Sequence, residues 1–339
     1  MMTAKREVRE IGVALVTVRY RDDHMATLRE ALAPGKVVHV RPDDAEGVAE
    51  ALGEADVAVL AGDLDRRFVD APKLRWVHCD HSGLALSAMP EVFHKGLMVT
   101  GSAGRSAPVL AQHVFFFALA LTYDAAGLVE VQKHHAWRGL DGYDSRRGLW
   151  GKTMGLVGFG ETGRETAALA KAMGMRVLVY RKRVEPVPDN VDHMYHADAG
   201  DSLDELLANS DVVVVCVRLS DATFHLIGRR ELQLMKPSAY LVNIARGPVI
   251  DEAALVDELR KGTIAGAGLD VFEQEPLPAD AAIWDAPNTV LTHHQTPEMP
   301  DLQARSLDII CENIRRYRGG EDLLNLLVPS DVYTHSPVR

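Results

Sequence analysis

The 339-residue sequence predicts an α/β protein built from two parallel-sheet domains, and three observations predict it. Apolar strand-like runs alternate with helical stretches along the chain. One strand–turn–helix–strand unit carries three glycines at fixed spacing, and two long helical runs, 107–123 and 302–318, stand where a chain would leave one domain and return to it. With 47% hydrophobic residues the chain can bury two modest cores.

Taken in order, strands are expected at 11–18, 36–40, 56–61 and 74–78, separated by helices such as 25–33 and 45–52. Residues 107–123 read as a long apolar helix with Pro108 in its first turn, where proline's missing donor has no helical partner. Beyond it, strands follow at 154–157, 176–180, 212–217, 240–244, 264–269 and 289–291. After Pro297 and Pro300, the run 302–318 carries Leu307, Ile309, Ile310 and Ile314 and should return to the first domain. That domain is therefore expected to be discontinuous: 1–106 and 299–339 flank an inserted domain at 107–298. Residues 183–190, polar and proline-containing, read as a surface loop.

The glycines are Gly158, Gly160 and Gly163 in GLVGFGETGRETAALAKAMGMRVLVY. Spacing alone is weak, but an apolar strand precedes them. A helical run with Ala167, Leu169, Ala170 and Met173 follows, stopped by Gly174 before a second strand. The first glycine allows the tight turn, the second admits a pyrophosphate, and the third lets helix and strand pack closely. Helix N-terminal amides, with Glu161 and Thr162 in the same turn, would face the phosphates. The inserted domain thus reads as a Rossmann-like dinucleotide binder. The fold class expected for the whole chain is two Rossmann-like or flavodoxin-like domains with parallel sheets.

Three side chains downstream fit hydride transfer to a 2-keto acid. Arg246 (NIARGPVIDE), Glu275 (GLDVFEQEP) and His294 (PNTVLTHHQT) each stand just past an apolar run, where open α/β sheets place ligand-contacting residues. A hydride arriving at C2 leaves negative charge on the carbonyl oxygen, and histidine is the natural proton donor near neutral pH. A carboxylate on the other imidazole nitrogen would orient the ring and stabilise the imidazolium. A guanidinium fork would hold the substrate carboxylate and offset oxyanion charge.

From about residue 74 to 327 the chain resembles the D-isomer-specific 2-hydroxyacid dehydrogenase family, whose members include glyoxylate/hydroxypyruvate reductases. The match is carried by LRWVHCDHSG, APVLAQHVFFFALAL, GKTMGLVGFGETG, the block from LMKPSAYLVNIARGPVIDE to GLDVFEQEP, and PNTVLTHH. The resemblance implies that Arg246 binds substrate, that Glu275 partners the histidine, and that His294 is the acid/base. His293 occupies the position of the family's proline. Asp270 corresponds to the aspartate that holds the nicotinamide carboxamide, with Val217, Arg218 and Ala245 lining the dinucleotide. Ser82, Gly83 and Leu84 correspond to the loop whose amides help hold the substrate carboxylate. The implied assembly is a homodimer using about residues 108–150, including His134, His135 and Trp137.

Cofactor choice is read at the end of the second strand, where NAD-using relatives carry an aspartate for the ribose hydroxyls. Here stand Arg181, Lys182 and Arg183, so NADP(H) is favoured over NAD(H). Arg218 replaces the usual proline and is a further candidate cation for the 2′-phosphate. The sequence departs from the family at Gln112, at Glu161 inside the phosphate turn, and at Gln295, Thr296, Pro297 and Glu298, where small residues are usual.

The expected activity is NAD(P)-dependent reduction of a small 2-keto acid such as glyoxylate or hydroxypyruvate. Two alternatives stay open: oxidation of a small anion such as phosphite or formate, and a non-catalytic dinucleotide-sensing scaffold of the corepressor type. Formate enzymes of the family carry glutamine at the position of Glu275, which speaks against formate. A net charge of −11 and a pI near 5.7 argue against nucleic acid as a partner. Three scattered cysteines without a CxxC pair read as reduced thiols, and no metal site is expected. No export signal or membrane span is evident, so a cytoplasmic protein is expected.

Overall fold

Strands such as Val57–Leu60 and Val212–Val215 contain no polar side chain, which suits them to parallel sheets covered on both faces. The computed structural model describes residues 8–138, 142, 143, 146, 148–295 and 298–335. It divides into two units: Met1–Arg105, Ser220–Ala222 and Met299–Arg339 form the first, Ser106–Leu219 and Thr223–Glu298 the second.

In the first unit, β1 (Val13–Val16), α1 (Asp22–Leu32), β2 (Lys36–His39), α2 (Ala45–Leu52), β3 (Val57–Leu60), α3 (Arg66–Asp70), β4 (Trp76–Cys79), α4 (Pro90–Lys95) and β5 (Met98–Gly101) alternate. The parallel sheet has the order β2-β1-β3-β4-β5. One face packs Val48, Phe68 and Val92, and the other packs Leu28, Leu32 and residues of the C-terminal helix Leu302–Arg318. Trp76 and Tyr317 stack there at 5.2 Å.

The second unit opens with α5 (Ala107–Tyr123) and α6 (Ala125–Lys133). Its sheet elements are β6 (Thr153–Val157), α7 (Glu161–Ala172), β7 (Arg176–Arg181), β8 (His193–His196), α8 (Asp204–Asn209), β9 (Val212–Val215), α9 (Arg229–Leu234), β10 (Tyr240–Asn243), α10 (Glu252–Lys261), β11 (Gly266–Leu269) and β12 (Thr289–Leu291). The order β12-β11-β10-β9-β6-β7-β8 is parallel throughout and reverses direction between β6 and β9, the point at which such sheets open a ligand crevice. Helix α5 is mostly apolar, and its Val114, Phe117 and Ala118 are packed in the core with Met154, Ala167 and Val214. The C-terminal helix Leu302–Arg318 is α11. Among the described residues no single helix is long and apolar enough to cross a membrane.

One buried acid braces α10. The Glu258 side chain is 1% exposed and accepts from Arg229 (2.6 Å), Lys261 (2.8 Å) and Thr263 (2.6 Å). Hydrogen bonds from Lys261 and Thr263, with Arg229 behind them, hold its carboxyl down at about 2 against an ordinary 4.5. A depressed carboxyl contributes stability above its unfolded value and loses it as pH falls toward the folded one. Glu258→Gln is expected to lower Tm by several degrees at pH 7 and to flatten the decline between pH 4.5 and 2, read by calorimetry. Parallel Tm curves for the two proteins would refute this role.

Candidate active site

The ends of β10, β11 and β12 lie side by side, and the segment after each carries one of the three candidate residues. After β10 the chain turns on Asn243, 1% exposed, whose Oδ1 accepts from Ala245 N (3.0 Å) and whose Nδ2 donates to Arg246 O (3.1 Å). An unpaired amide would be unfavourable at that depth, so Asn243 serves as the clamp that fixes this turn. Arg246 donates through Nη1 to Ala245 O at 2.7 Å, so both polar groups of Ala245 are engaged within the turn.

After β11, Glu275 accepts from Phe272 N through Oε1 (2.9 Å) and faces His294 Nδ1 through Oε2 at 2.6 Å. Partial burial would raise the Glu275 pKa. Hydrogen bonds from His294 and Phe272, with the charges of His294 and Arg246, outweigh it and hold the carboxyl below its ordinary value. The structure therefore brings all three residues within electrostatic reach, and it is His294, not His293, that meets the carboxylate. A cavity of about 740 Å³ opens beside the pair, lined by Phe272, Pro276, Leu277, Trp284 and Leu291.

His294 has a left-handed backbone, φ +50°, a region in which histidine is enriched among non-glycine residues. Its amide donates to Asp270 O at 2.7 Å. Asp270, 2% exposed, also accepts through Oδ1 from Thr292 Oγ1 (2.6 Å) and Gln295 N (3.1 Å). Because the Thr292 hydroxyl donates to a carboxylate, the buried His113 on α5, 3.2 Å away through Nε2, serves as donor to Thr292. Burial lowers the His113 pKa against the charge of Asp270, which favours this neutral form.

The glycine turn follows β6. Gly158 adopts φ +103°, and a β-carbon there would also lie 2.7 Å from Cys216 O. Gly163 packs against Gly158 O, whereas a β-carbon on Gly160 would meet nothing within 4 Å, leaving an open cradle at the N-terminus of α7. These are the tight turn, the close packing and the free approach that a pyrophosphate requires. Val217 lies beside Gly158, and Cys216, its thiol pushed up to about 12 by burial, donates to Gly158 O at 3.2 Å. Glu161 is exposed in the first turn of α7, so its carboxylate faces solvent, where the helix dipole favours it.

Lys182 and Arg183 are exposed, but Arg181, at the end of β7, is 16% exposed and ion-paired with Glu185, which also meets Arg164 at 3.2 Å. The loop thus supplies a carboxylate of its own beside Arg181. Arg218 follows β9, two strands from β7 with β6 between.

Ser82, Gly83 (φ +81°) and Leu84 follow β4 in the first unit. Ser82 Oγ donates to Ser102 O at 3.4 Å, and the Leu84 side chain is 3% exposed within the core, leaving its backbone for any ligand contact. Thr296 and Pro297 lie outside the described residues. Asn243, Gly247, Thr292, Arg164 and Glu185 were not singled out from the sequence. The signal for Asn243 and Thr292 is a polar residue closing or just following an apolar run.

Residues 115–296 match the family model for the NAD-binding domain of D-isomer-specific 2-hydroxyacid dehydrogenases. The chain is 33% identical to a glyoxylate reductase of Korarchaeum cryptofilum over 98% of its own length and 97% of the relative's. It is 35% identical to the glyoxylate reductase of Thermococcus gammatolerans, covering 84% of this chain and 87% of that one. A D-isomer-specific 2-hydroxyacid dehydrogenase from Xanthobacter autotrophicus, solved with NADPH and MES, superposes with a TM-score of 0.78 at 28% identity, covering 95% of this chain and 99% of that one. The strand-end site, the glycine turn and these similarities converge: the chain belongs to the D-isomer-specific 2-hydroxyacid dehydrogenase family, as an oxidoreductase with an NAD-binding domain.

Proposed function

We propose that the chain is an NADP(H)-preferring reductase of a small 2-keto acid of the glyoxylate or hydroxypyruvate class, giving the D-2-hydroxy acid. The observation that carries the reading is the 2.6 Å contact between His294 Nδ1 and Glu275, with the charge of Arg246 acting on the same carboxylate. A bound nicotinamide supplies the hydride.

The chain's own residues then do the rest. With Nδ1 engaged by an ionised Glu275, His294 carries the mobile proton on Nε2 and delivers it to the oxygen at C2. In the oxidation direction the same nitrogen accepts it. Arg246 receives the substrate carboxylate in a bidentate fork and offsets charge developing beside it. Asp270 would accept from the nicotinamide carboxamide. Gly158, Gly160, Thr162 and Gly163 would hold the pyrophosphate, beside Glu161, Val217, Arg218 and Ala245. Ser82, Gly83 and Leu84 are assigned to the substrate carboxylate by their sequence.

Arg181, Lys182 and Arg183 support NADP(H), as does the NADPH-bound Xanthobacter relative. The glyoxylate reductases of Korarchaeum cryptofilum and Thermococcus gammatolerans support the substrate class. Exposed Phe116, Tyr123, Val129, Trp137 and Trp150 offer apolar surface for the proposed homodimer.

The test is a panel of 2-keto acids, from glyoxylate to longer-chain members, assayed with NADPH and NADH separately. Highest kcat/KM for a two- or three-carbon acid with NADPH is expected. Oxidation of neither dinucleotide by any member would end the proposal. In the same assay Arg246→Lys is expected to lose about 100-fold in kcat/KM, because an ammonium cannot reproduce the fork. Near-normal turnover would remove Arg246 from the carboxylate.

A further inference from the structure

We propose that Glu185 determines how strongly the chain distinguishes a 2′-phosphorylated dinucleotide from an unphosphorylated one, by placing its own carboxylate between two arginines where a ribose 2′-phosphate would bind. The inference rests on the reading that Arg181 faces the adenosine ribose.

Arg181 Nη1 and Arg164 Nη2 both donate to one oxygen, Glu185 Oε2, the second at 3.2 Å. Their convergence marks an oxyanion seat. Arg164 is steadied over the Phe159 ring at 4.9 Å, inside the glycine turn itself. A carboxylate brings one charge and two oxygens. A phosphate monoester brings about −1.5 to −2 and three oxygens, enough to engage both guanidiniums at once.

Exchange is feasible because the Glu185 side chain is 40% exposed and can swing to water. It is also opposed, because Glu185 is tethered four residues from Arg181 and competes as an intramolecular ligand at high effective concentration. Binding of a 2′-phosphate therefore includes eviction of Glu185, whereas an unphosphorylated ribose need not disturb the pair. The basic cluster thus discriminates less than its charge alone implies.

Calorimetric titration of the full chain with adenosine 2′,5′-bisphosphate and with adenosine 5′-monophosphate tests this, since the two differ only in the 2′-phosphate. Glu185→Gln is expected to raise affinity for the bisphosphate about tenfold and leave the monophosphate within about twofold. The gain should fade with salt. Adding Arg181→Gln should erase it. If Glu185→Gln leaves the affinity ratio unchanged or lowers it while Arg181→Gln alone still reduces it, the role of Glu185 is overturned and the cofactor reading survives. If Arg181→Gln alone leaves the wild-type ratio untouched, the reading that Arg181 faces the ribose falls, and this inference with it.

Discussion

His294→Ala is expected to reduce kcat by about a thousandfold or more while the dinucleotide dissociation constant stays within about twofold. The asymmetry follows from geometry. The imidazole meets Glu275 at 2.6 Å, whereas the groups proposed to face the dinucleotide phosphates stand at the ends of β6 and β7 on other strands of the sheet. Removing the ring would delete the proposed proton carrier and leave Glu275 half-buried without the partner that offsets its burial. The carboxyl then titrates higher, and the residual activity should acquire a different pH dependence. The comparison His293→Ala is expected to stay within about threefold of wild type, because that residue is exposed and His294 holds the contact. Stopped-flow reduction with fluorescence titration separates turnover from binding. An alanine variant at 294 retaining a tenth of normal kcat would remove the acid/base assignment.

The candidate site was legible as a grouping because Arg246, Glu275 and His294 each follow an apolar run, and parallel sheets carry ligand residues on that edge. Long elements were equally plain: 107–123 and 302–318 are helices over those same residues. What failed to show has physical causes. Strand β8 is an edge strand of four residues, HMYH, with only Met194 buried, so it lacks the apolar run that marks β9. Helices α8 and α9 are six residues each, too short for a 3.6-residue period to emerge. Glu185 lies in a proline-rich loop, where spacing says nothing about facing, and only the fold returns it to Arg181. Asn243 and Thr292 look like polar strand exits until the fold shows what each holds, Asn243 the turn through Ala245 and Arg246, Thr292 the Asp270 carboxylate and His113.

Gly247→Ala is expected to disable the site without altering any reacting group. Gly247 follows Arg246 directly, and a β-carbon on it would lie 1.8 Å from the carbonyl carbon of Phe272, 1.9 Å from its oxygen and 2.4 Å from Glu273 N. All three are backbone atoms, so no rotamer change relieves the overlap, and ordinary contact at 3.4 Å or more demands a main-chain shift above 1 Å. The opposing segment resists moving. Phe272 N donates to Glu275, Glu273 pairs with His225 at 2.8 Å, and Glu252 N donates to Glu273 at 3.2 Å. If the 272–275 segment yields, Glu275 loses its aim at His294; if the turn yields, Arg246 is displaced and the Asn243 clamp on Ala245 and Arg246 is lost. A displacement of about 1 Å in a positioning element costs on the order of 100-fold in rate. Overpacking of this kind destabilises by about 1–3 kcal/mol or more. The expected result is a fall of at least about 100-fold in kcat/KM together with a lower Tm, while dinucleotide affinity, which the proposal places at the turn after β6, changes far less. An alanine variant with wild-type kcat/KM would show that the approach of Gly247 to Phe272 does not hold Arg246 and Glu275 in register.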